Sequence, residues 1–192
     1  MKRCVDILVA LVLLILFSPI LCCVSLLTLA FNGWPIVFSQ TRPGLHGKLF
    51  TLYKFRSMKT GEGDDVDRLT SFGKLLRKSS LDELPQLWNV LRGDMSLVGP
   101  RPLLVQYLPL YTQRQAKRHD VQPGITGWSQ VNGRNEPCWE DRLERDVWYV
   151  ENQSFALDCR IILKTFVKLF SSAGVSAEGQ ATVEPFKGSP EK

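Results

Sequence analysis

Two adjacent carboxylates, Asp82 and Glu83, open the apolar run Leu84-Pro85-Gln86-Leu87-Trp88-Asn89-Val90-Leu91. A pair of acids in such company has two readings. One is a capping box, because Ser80 and Glu83 have the S-x-x-E spacing in which hydroxyl and carboxylate satisfy the first free N–H groups of a helix. Pro85 argues against a helix beginning as early as Leu81, since a proline beyond the first turn removes a hydrogen bond and strikes the preceding turn. A helix starting near Asp82 avoids that penalty and places the aspartate at the positive end of the helix dipole, where carboxylates and phosphates are both favoured. The position is therefore either structural or catalytic. The stretch Gly93-Asp94-Met95-Ser96-Leu97-Val98-Gly99-Pro100-Arg101-Pro102 tips the balance. An arginine between two prolines sits on a nearly rigid backbone, and a planar guanidinium so held suits bidentate phosphate recognition. Carboxylates beside a fixed arginine point to phosphate chemistry.

More cations are placed to join them. Leu49 to Met58 is β-rich and, as a strand, puts Lys54 and Arg56 on one side, which is either a solvated face or a substrate contact. Leu69 to Lys78 reads as a short helix whose Lys74, Arg77 and Lys78 bring positive charge to the start of the acidic pair. Asp64-Asp65-Val66-Asp67 lacks the full ligand pattern of a calcium loop and reads as part of a mobile, Gly- and Asp-rich segment from Thr60 to Asp67.

The elements that must hold these residues divide the chain unevenly. With 192 residues, 44% hydrophobic and 22% charged, the protein has room for one domain and an appendage. Nearly all of residues 4–31 is apolar, and the rest carries the net charge of +5 and the pI of about 9.0. Excess positive charge serves nucleic acid, anionic lipid or phosphorylated substrates alike; the apolar segment favours lipid over nucleic acid. The 5 cysteines form no C-x-x-C pair and no zinc spacing, and they read as reduced.

Met1-Lys2-Arg3 and the apolar segment resemble a signal peptide, but the segment is too long and no A-x-A-like site follows. Ser18-Pro19 interrupts it. The proline frees the carbonyl of Ile15 and bends the helix, and Ser18 can bond back to the preceding turn. Lys2 and Arg3 precede the segment while Arg42, Lys48, Lys54 and Arg56 follow it, so positive charge flanks both ends. A re-entrant helix-break-helix with both ends on one face is preferred to a kinked spanning helix, and Asp6 is expected at the membrane interface. Ile36 to Phe38 is a short strand, Gln40 to Gly44 a turn, Leu103 to Arg118 a helix, and Pro123 to Arg134 a turn with a short strand or hairpin. Trp139 to Asn152 and Leu157 to Phe170 are amphipathic helices; the second suits either a membrane surface or a core. Residues 171–192 are expected to be disordered.

These residues resemble the bacterial sugar transferases, the small monotopic phosphoglycosyl transferases. The matching stretches are Phe17-Ser18-Pro19, Gln40-Thr41-Arg42-Pro43-Gly44, Tyr53-Lys54-Phe55-Arg56-Ser57-Met58, Ser80-Leu81-Asp82-Glu83-Leu84-Pro85-Gln86, Met95-Ser96-Leu97-Val98-Gly99-Pro100-Arg101-Pro102 and Pro123-Gly124-Ile125-Thr126-Gly127, in order over about residues 1–170. No additional N-terminal domain is expected, which resembles the minimal members. The expected fold is α+β and α-rich: a re-entrant membrane helix-break-helix over 1–31 broken at Ser18 and Pro19, and a small cytoplasmic catalytic domain over 32–170 with interfacial amphipathic helices. The resemblance implies transfer of a sugar phosphate from a UDP-sugar to a polyprenol phosphate such as undecaprenyl phosphate. The products are polyprenol diphosphate-sugar and UMP, formed at the cytoplasmic face of the bacterial inner membrane. It implies that Asp82 is the nucleophile forming a covalent phospho-sugar intermediate, that Glu83 assists the acceptor, and that Mg2+ sits between Asp82 and the diphosphate. It assigns phosphate binding to Arg77 and Arg101, with Lys54 a weaker carry-over, and pairs Asp158 with Lys2 or Arg3. The rival from another class is a membrane-lipid adaptor in which Asp82 and Glu83 only cap a helix. Which sugar, which pathway and the oligomeric state, a homodimer included, stay open.

Overall fold

The computed structural model describes residues 2–61, 64–133, 138–170 and 185–189. The apolar segment forms two helices, α1 (Lys2–Leu16) and α2 (Ser18–Asn32), bent by 63° at Phe17. Pro19 cannot donate to Ile15, and the Ser18 hydroxyl donates to that carbonyl instead, at 2.8 Å. Among the described residues no single helix is long and apolar enough to cross a membrane, whereas the bent pair together is.

Both far ends of this pair are tied into the remainder of the chain. Lys2 pairs with Asp158 at 2.5 Å, and Arg3 donates to the carbonyls of Val90 and Leu91 at 2.5 and 3.0 Å. Asp6 is buried and accepts from the Ser96 hydroxyl at 2.8 Å and the Leu97 N–H at 3.3 Å. The expectation that Asp6 lies at an interface is therefore corrected: a carboxylate facing an open strand end gains two donors that a lipid headgroup layer need not offer. At the other end Asn32 donates to the Arg56 carbonyl and accepts from the Thr70 hydroxyl, both at 2.7 Å. Between these ends Ala10 packs on Leu52, Leu87, Val90 and Met95 in one core.

Strand β1 (Val37–Pro43) pairs antiparallel with β2 (Leu49–Phe55), from Val37 opposite Phe55 to Pro43 opposite Leu49. Gln40 to Pro43 is thus strand rather than turn; the chain reverses at residues 44–48, and the proline falls on the last strand residue, where a missing N–H does least harm. After a four-residue helix α3 (Asp65–Arg68) comes α4 (Ser71–Ser79), capped by Thr70, whose hydroxyl accepts from the Gly73 N–H at 2.9 Å. Gly73 lies so close to β2's exit that a Cβ there would meet the Ser57 carbonyl at 1.8 Å.

No helix starts at Asp82. Ser80 adopts a left-handed conformation that closes α4, without a side-chain cap, so the capping box does not form. Leu81–Glu83 makes a 3-10 turn and α5 (Gln86–Arg92) follows from Pro85, the proline taking a position that needs no donor. Asn89 of α5 is fully buried and completes the free edge of β2: its amide donates to Thr51 O at 2.7 Å and accepts from Tyr53 N–H at 3.2 Å.

The short strand β3 (Ser96–Val98) leads into the Pro100-Arg101-Pro102 segment. Residues 103–118 hold a 3-10 turn, Val105–Leu110, then α6 (Gln113–Ala116) with a Thr112/Gln115 capping box, then a second 3-10 turn, Lys117–His119. Pro109 and the Thr112/Gln115 capping box divide what periodicity alone reads as one helix. Strand β4 (Gly124–Thr126) lies parallel to β3, not in a hairpin, and α7 (Trp128–Asn132) follows. A Cβ on Gly124 would stand 2.1 Å from Gly99 N, so this parallel contact exists because both partners are glycines. Helices α8 (Trp139–Glu151) and α9 (Phe155–Phe170) fall where the periodicity places them and pack on β3 through Tyr149 and Ile161.

The outward sides of α1, α2 and α9 are apolar; Leu8, Ile15, Leu26, Leu163 and Val167 are among the exposed side chains. All five cysteines are free. Of the terminal stretch expected to be disordered, residues 171–184 and 190–192 lie outside the described residues. Residues 185–189 are described, and there Phe186 is buried among Tyr107, Tyr111 and Trp139, a set of rings that compensates for the ordering of a Gly- and Ser-rich segment.

Candidate active site

The turn between α4 and α5 puts Asp82 where three cations converge, from β2, α4 and the strand exit after β3. Lys54, opposite Phe38 in the hairpin, holds its ammonium 5.2 Å from that ring. Arg77 comes from the last turn of α4 and is oriented by its Nε–H, which donates to the Ser57 hydroxyl at 2.9 Å. Arg101 grips Glu83 with both terminal nitrogens, Nη1 to Oε2 at 3.3 Å and Nη2 to Oε1 closer still. All five sequence-derived site residues, Asp82, Glu83, Lys54, Arg77 and Arg101, are therefore in one place.

Charge at this site is unequally shared. Asp82, only 6% exposed, has its pKa raised from 3.8 to about 6 by burial and by neighbouring Glu83, against the pull of Lys54, Arg101 and Arg77. Burial pushes Glu83 upward too, but the charge and hydrogen bonds of Arg101 outweigh it and hold Glu83 below the usual carboxylate range. Lys54 is lowered, chiefly by burial. Arg101 is raised, chiefly by Glu83. One carboxylate is thus committed to an ion pair, and the other, with its pKa raised to about 6, accepts no hydrogen bond from the described residues. Poised groups of this kind mark reacting positions.

The Arg101 backbone is fixed by groups that sequence reasoning missed. Arg118 and Asp146, each 1% exposed in their side chains, form a buried pair at 2.6 Å, and the Ser129 hydroxyl donates to Asp146 at 2.6 Å. Arg118 also donates to the Arg101 carbonyl at 2.7 Å, and the Gly124 N–H donates to the carbonyl of Pro100 at 3.0 Å. No local pattern joins Arg118 to Asp146, 28 residues apart; only packing of the 117–119 turn on α8 does. Ser57 lies in one of the family-like stretches, and its role as the seat of Arg77 emerges only in three dimensions.

Among the described residues no group of three or more His, Cys, Asp or Glu side chains is placed to hold a metal. A magnesium ion does not need one, since it uses one or two carboxylates and fills its octahedron with water and substrate phosphate. Asp82 alone fits that part, because both Glu83 oxygens are taken by Arg101.

In this helix-rich α and β protein a buried aspartate among an ammonium and two guanidinium groups is an arrangement suited to phosphorylated substrates. Residues 1–172 match the family described as bacterial sugar transferase. The chain is 53% identical over 196 residues to the uncharacterized sugar transferase EpsL of Bacillus subtilis strain 168, covering 98% of this chain and 96% of that protein. It is 44% identical over 186 residues to the UDP-glucose:undecaprenyl-phosphate glucose-1-phosphate transferase of Escherichia coli K12, covering 88% of this chain and 40% of that one. With the undecaprenyl-phosphate galactose phosphotransferase of Salmonella typhimurium the identity is 37% over 188 residues, covering 86% and 39%. The chain spans about 40% of the length of these two longer relatives. It belongs to the bacterial sugar transferase family.

Proposed function

We propose that the protein transfers a sugar phosphate from a UDP-sugar to a polyprenol phosphate, of the undecaprenyl class that relatives' names carry. A carboxylate oxygen of Asp82 attacks the phosphorus nearer the sugar. The bond from that phosphorus to the bridging oxygen breaks, and UMP leaves with that oxygen. In the second half, an oxygen of the acceptor phosphate attacks the same phosphorus, the bond to Asp82 breaks, and polyprenol diphosphate-sugar departs with the carboxylate restored. The observation that carries this reading is the burial of one weakly acidic carboxyl group among Lys54, Arg77 and Arg101. Carboxylate nucleophiles split one hard displacement into two easier ones.

Arg77 and Arg101 bind the transferring phosphoryl oxygens, and Lys54 adds charge from β2. Two or three fixed cations stabilise charge that grows in the transition state without having to reorganise. Asp82 and the donor diphosphate would hold Mg2+, which when bound would supply Lewis-acid polarisation of the phosphoryl group. Glu83 holds Arg101 and faces the acceptor once that guanidinium turns to phosphate. A phosphate monoester has its second pKa near about 6, so the acceptor is largely deprotonated at neutral pH and needs little help from a base.

The acceptor stays in lipid, since each buried CH₂ is worth about 0.8 kcal/mol. In this reading α1 and α2 dip into the cytoplasmic leaflet of the bacterial inner membrane and return, with the outer face of α9 at the surface. Support comes from both ends of the pair being bonded to the same folded unit, Lys2 to Asp158 and Asn32 to Arg56. Ends tied to one unit agree with both lying on one side. The absent capping box removes the structural ground for the adaptor alternative.

The deciding experiment is incubation with UDP-sugars in detergent or nanodiscs. UMP release and a phospho-sugar mass increment are expected for the parent and lost in Asp82→Asn. A parent whose intact mass never changes and which releases no UMP from any UDP-sugar would sink the proposal. For topology, cysteine labelling that placed residues before Lys2 and after Asn32 on opposite faces would reject the re-entrant pair.

A further inference from the structure

Two further guanidinium groups, each close enough to Arg101 to feel its charge, make no ion pair among the described residues. Arg42, on β1, donates through Nη2 to Gln40 Oε1 at 2.6 Å, while its Nε is buried and has no acceptor. The turn after β1 holds it in place, pinned by the His119 ring, whose Nδ1–H donates to Gly44 O at 3.2 Å. Arg142, on α8, lies 5.1 Å from the Trp139 ring centroid, and no hydrogen bond or ion pair involves its guanidinium among the described residues. Burial first and then Arg101 lower the pKa of Arg42; burial lowers that of Arg142 too, against the pull of Asp146 and with the charges of Arg101 and Arg118 adding to it. The local charges are Arg42, Arg101, Arg118 and Arg142 against Glu83 and Asp146. Glu83 is taken by Arg101 and Asp146 is hydrogen-bonded to Arg118, so Arg42 has no carboxylate and Arg142 feels only the shared charge of Asp146, which leaves four cations against two anions. Uncompensated cations in a partly desolvated place are tolerated where an anion arrives to neutralise them.

We infer that Arg42 and Arg142, with Arg101 between them and Asp82, form a second anion subsite that binds the nucleotide-side phosphate of the donor. This rests on the transfer reaction proposed above and fixes the donor's direction. The phosphorus that bonds to Asp82 lies on the Lys54 and Arg77 side, and the phosphate leaving with the nucleoside lies on the Arg42 and Arg142 side. Arg101 is shared by both phosphates, which suits a diphosphate whose two phosphorus atoms are joined by a single oxygen. The subsite serves the first half-reaction, because the acceptor arrives after the nucleotide has gone.

UDP, which lacks the sugar, is the probe. In full-length Asp82→Asn protein, where no transfer occurs, calorimetric titration with UDP is expected to show tenfold or greater loss of affinity on adding Arg42→Gln, and similarly for Arg142→Gln. With Asp82 intact, Arg42→Gln slows adduct formation from UDP-sugar at least tenfold, while adduct accumulated by long incubation passes to polyprenol phosphate at the parental rate. The melting temperature of Arg42→Gln stays at or above that of the parent, which a purely structural arginine would not allow. Unchanged UDP affinity in both variants overturns the inference, as does slowed transfer from the adduct with normal adduct formation. If Arg42→Gln does not fold, Arg42→Lys decides: a fivefold or greater loss of UDP affinity supports the subsite, and parental affinity overturns it. A parent that binds UDP through Arg42 yet never forms an adduct would overturn the proposed transfer and leave the subsite standing.

Discussion

The proposed transfer concentrates the chemistry in one carboxyl group, that of Asp82. Its folded-state pKa of about 6 exceeds the ordinary 3.8, so between about pH 4 and pH 6 the folded state holds a proton that the unfolded state releases. Stability therefore falls as pH rises through this window and levels off above it, by about 3 kcal/mol at ~1.4 kcal/mol per unit. Asp82→Asn removes the slope and unfolds at a higher temperature than the parent at pH 7.5, while forming no adduct; chemical denaturation at several pH values reads the slope directly. Because the attacking form is the carboxylate, single-turnover UMP release is expected to rise with pH up to about 6 and then flatten. The buried Arg118–Asp146 pair acts at a distance by holding the Arg101 carbonyl. Breaking it with Arg118→Met or Asp146→Leu alone costs about 3–5 kcal/mol. The double variant is expected to lose much less than the sum, which a double-mutant cycle by urea denaturation measures.

At the scale of elements, the site depends on close backbone contacts more than on propensity. Gly73 lets α4 touch the chain leaving β2, and that contact seats Arg77 on Ser57. Gly73→Ala forces a methyl group to within 1.8 Å of a carbonyl unless α4 moves. A stability loss of about 3 kcal/mol is expected, with adduct formation reduced more than tenfold because Arg77 moves with the helix. Gly99 and Gly124 play the same part between β3 and β4. Strand β2, α8 and α9 were legible from alternation and amphipathic spacing, since each buries one face along a continuous run, whereas β1 was read only over Ile36 to Phe38. The helix anticipated from Leu103 to Arg118 was not, and of the short strand or hairpin anticipated after Pro123 the short strand formed, its parallel pairing with β3 unforeseen. There, caps, Pro109 and a glycine-to-glycine approach 25 residues apart in sequence, Gly99 to Gly124, decide the backbone.

Across the whole molecule, the helix pair is fastened to the catalytic unit rather than merely linked to it. Lys2, Arg3 and Asp6 reach α9, α5 and β3 in turn, and Ala10 lies in the same core as Leu52 of β2. Asp158 accepts from both Lys2 and the Tyr149 hydroxyl, at 2.5 and 2.7 Å. Asp158→Ala leaves two partners unsatisfied, a loss of about 2 kcal/mol and, for a chain of this size, a melting temperature about 4–8 °C lower. Hydrogen exchange is expected to rise first in α1 and α9, the elements this carboxylate joins. If exchange instead rose uniformly, the tie would not be specific to the helix pair.

The sequence by itself singled out Asp82, Glu83, Lys54, Arg77 and Arg101, which the fold brings together, and an apolar segment that breaks at Ser18-Pro19, because charge type, proline geometry and hydrophobic period are local properties. It also placed Asp158 against the first residues of the chain, through the family resemblance. Only the tertiary structure decided that Glu83 is committed to Arg101 while Asp82 is left weakly acidic. Burial and the distance to three cations set those states, and both arise from the meeting of β2, α4 and the strand exit after β3, segments that the sequence keeps far apart.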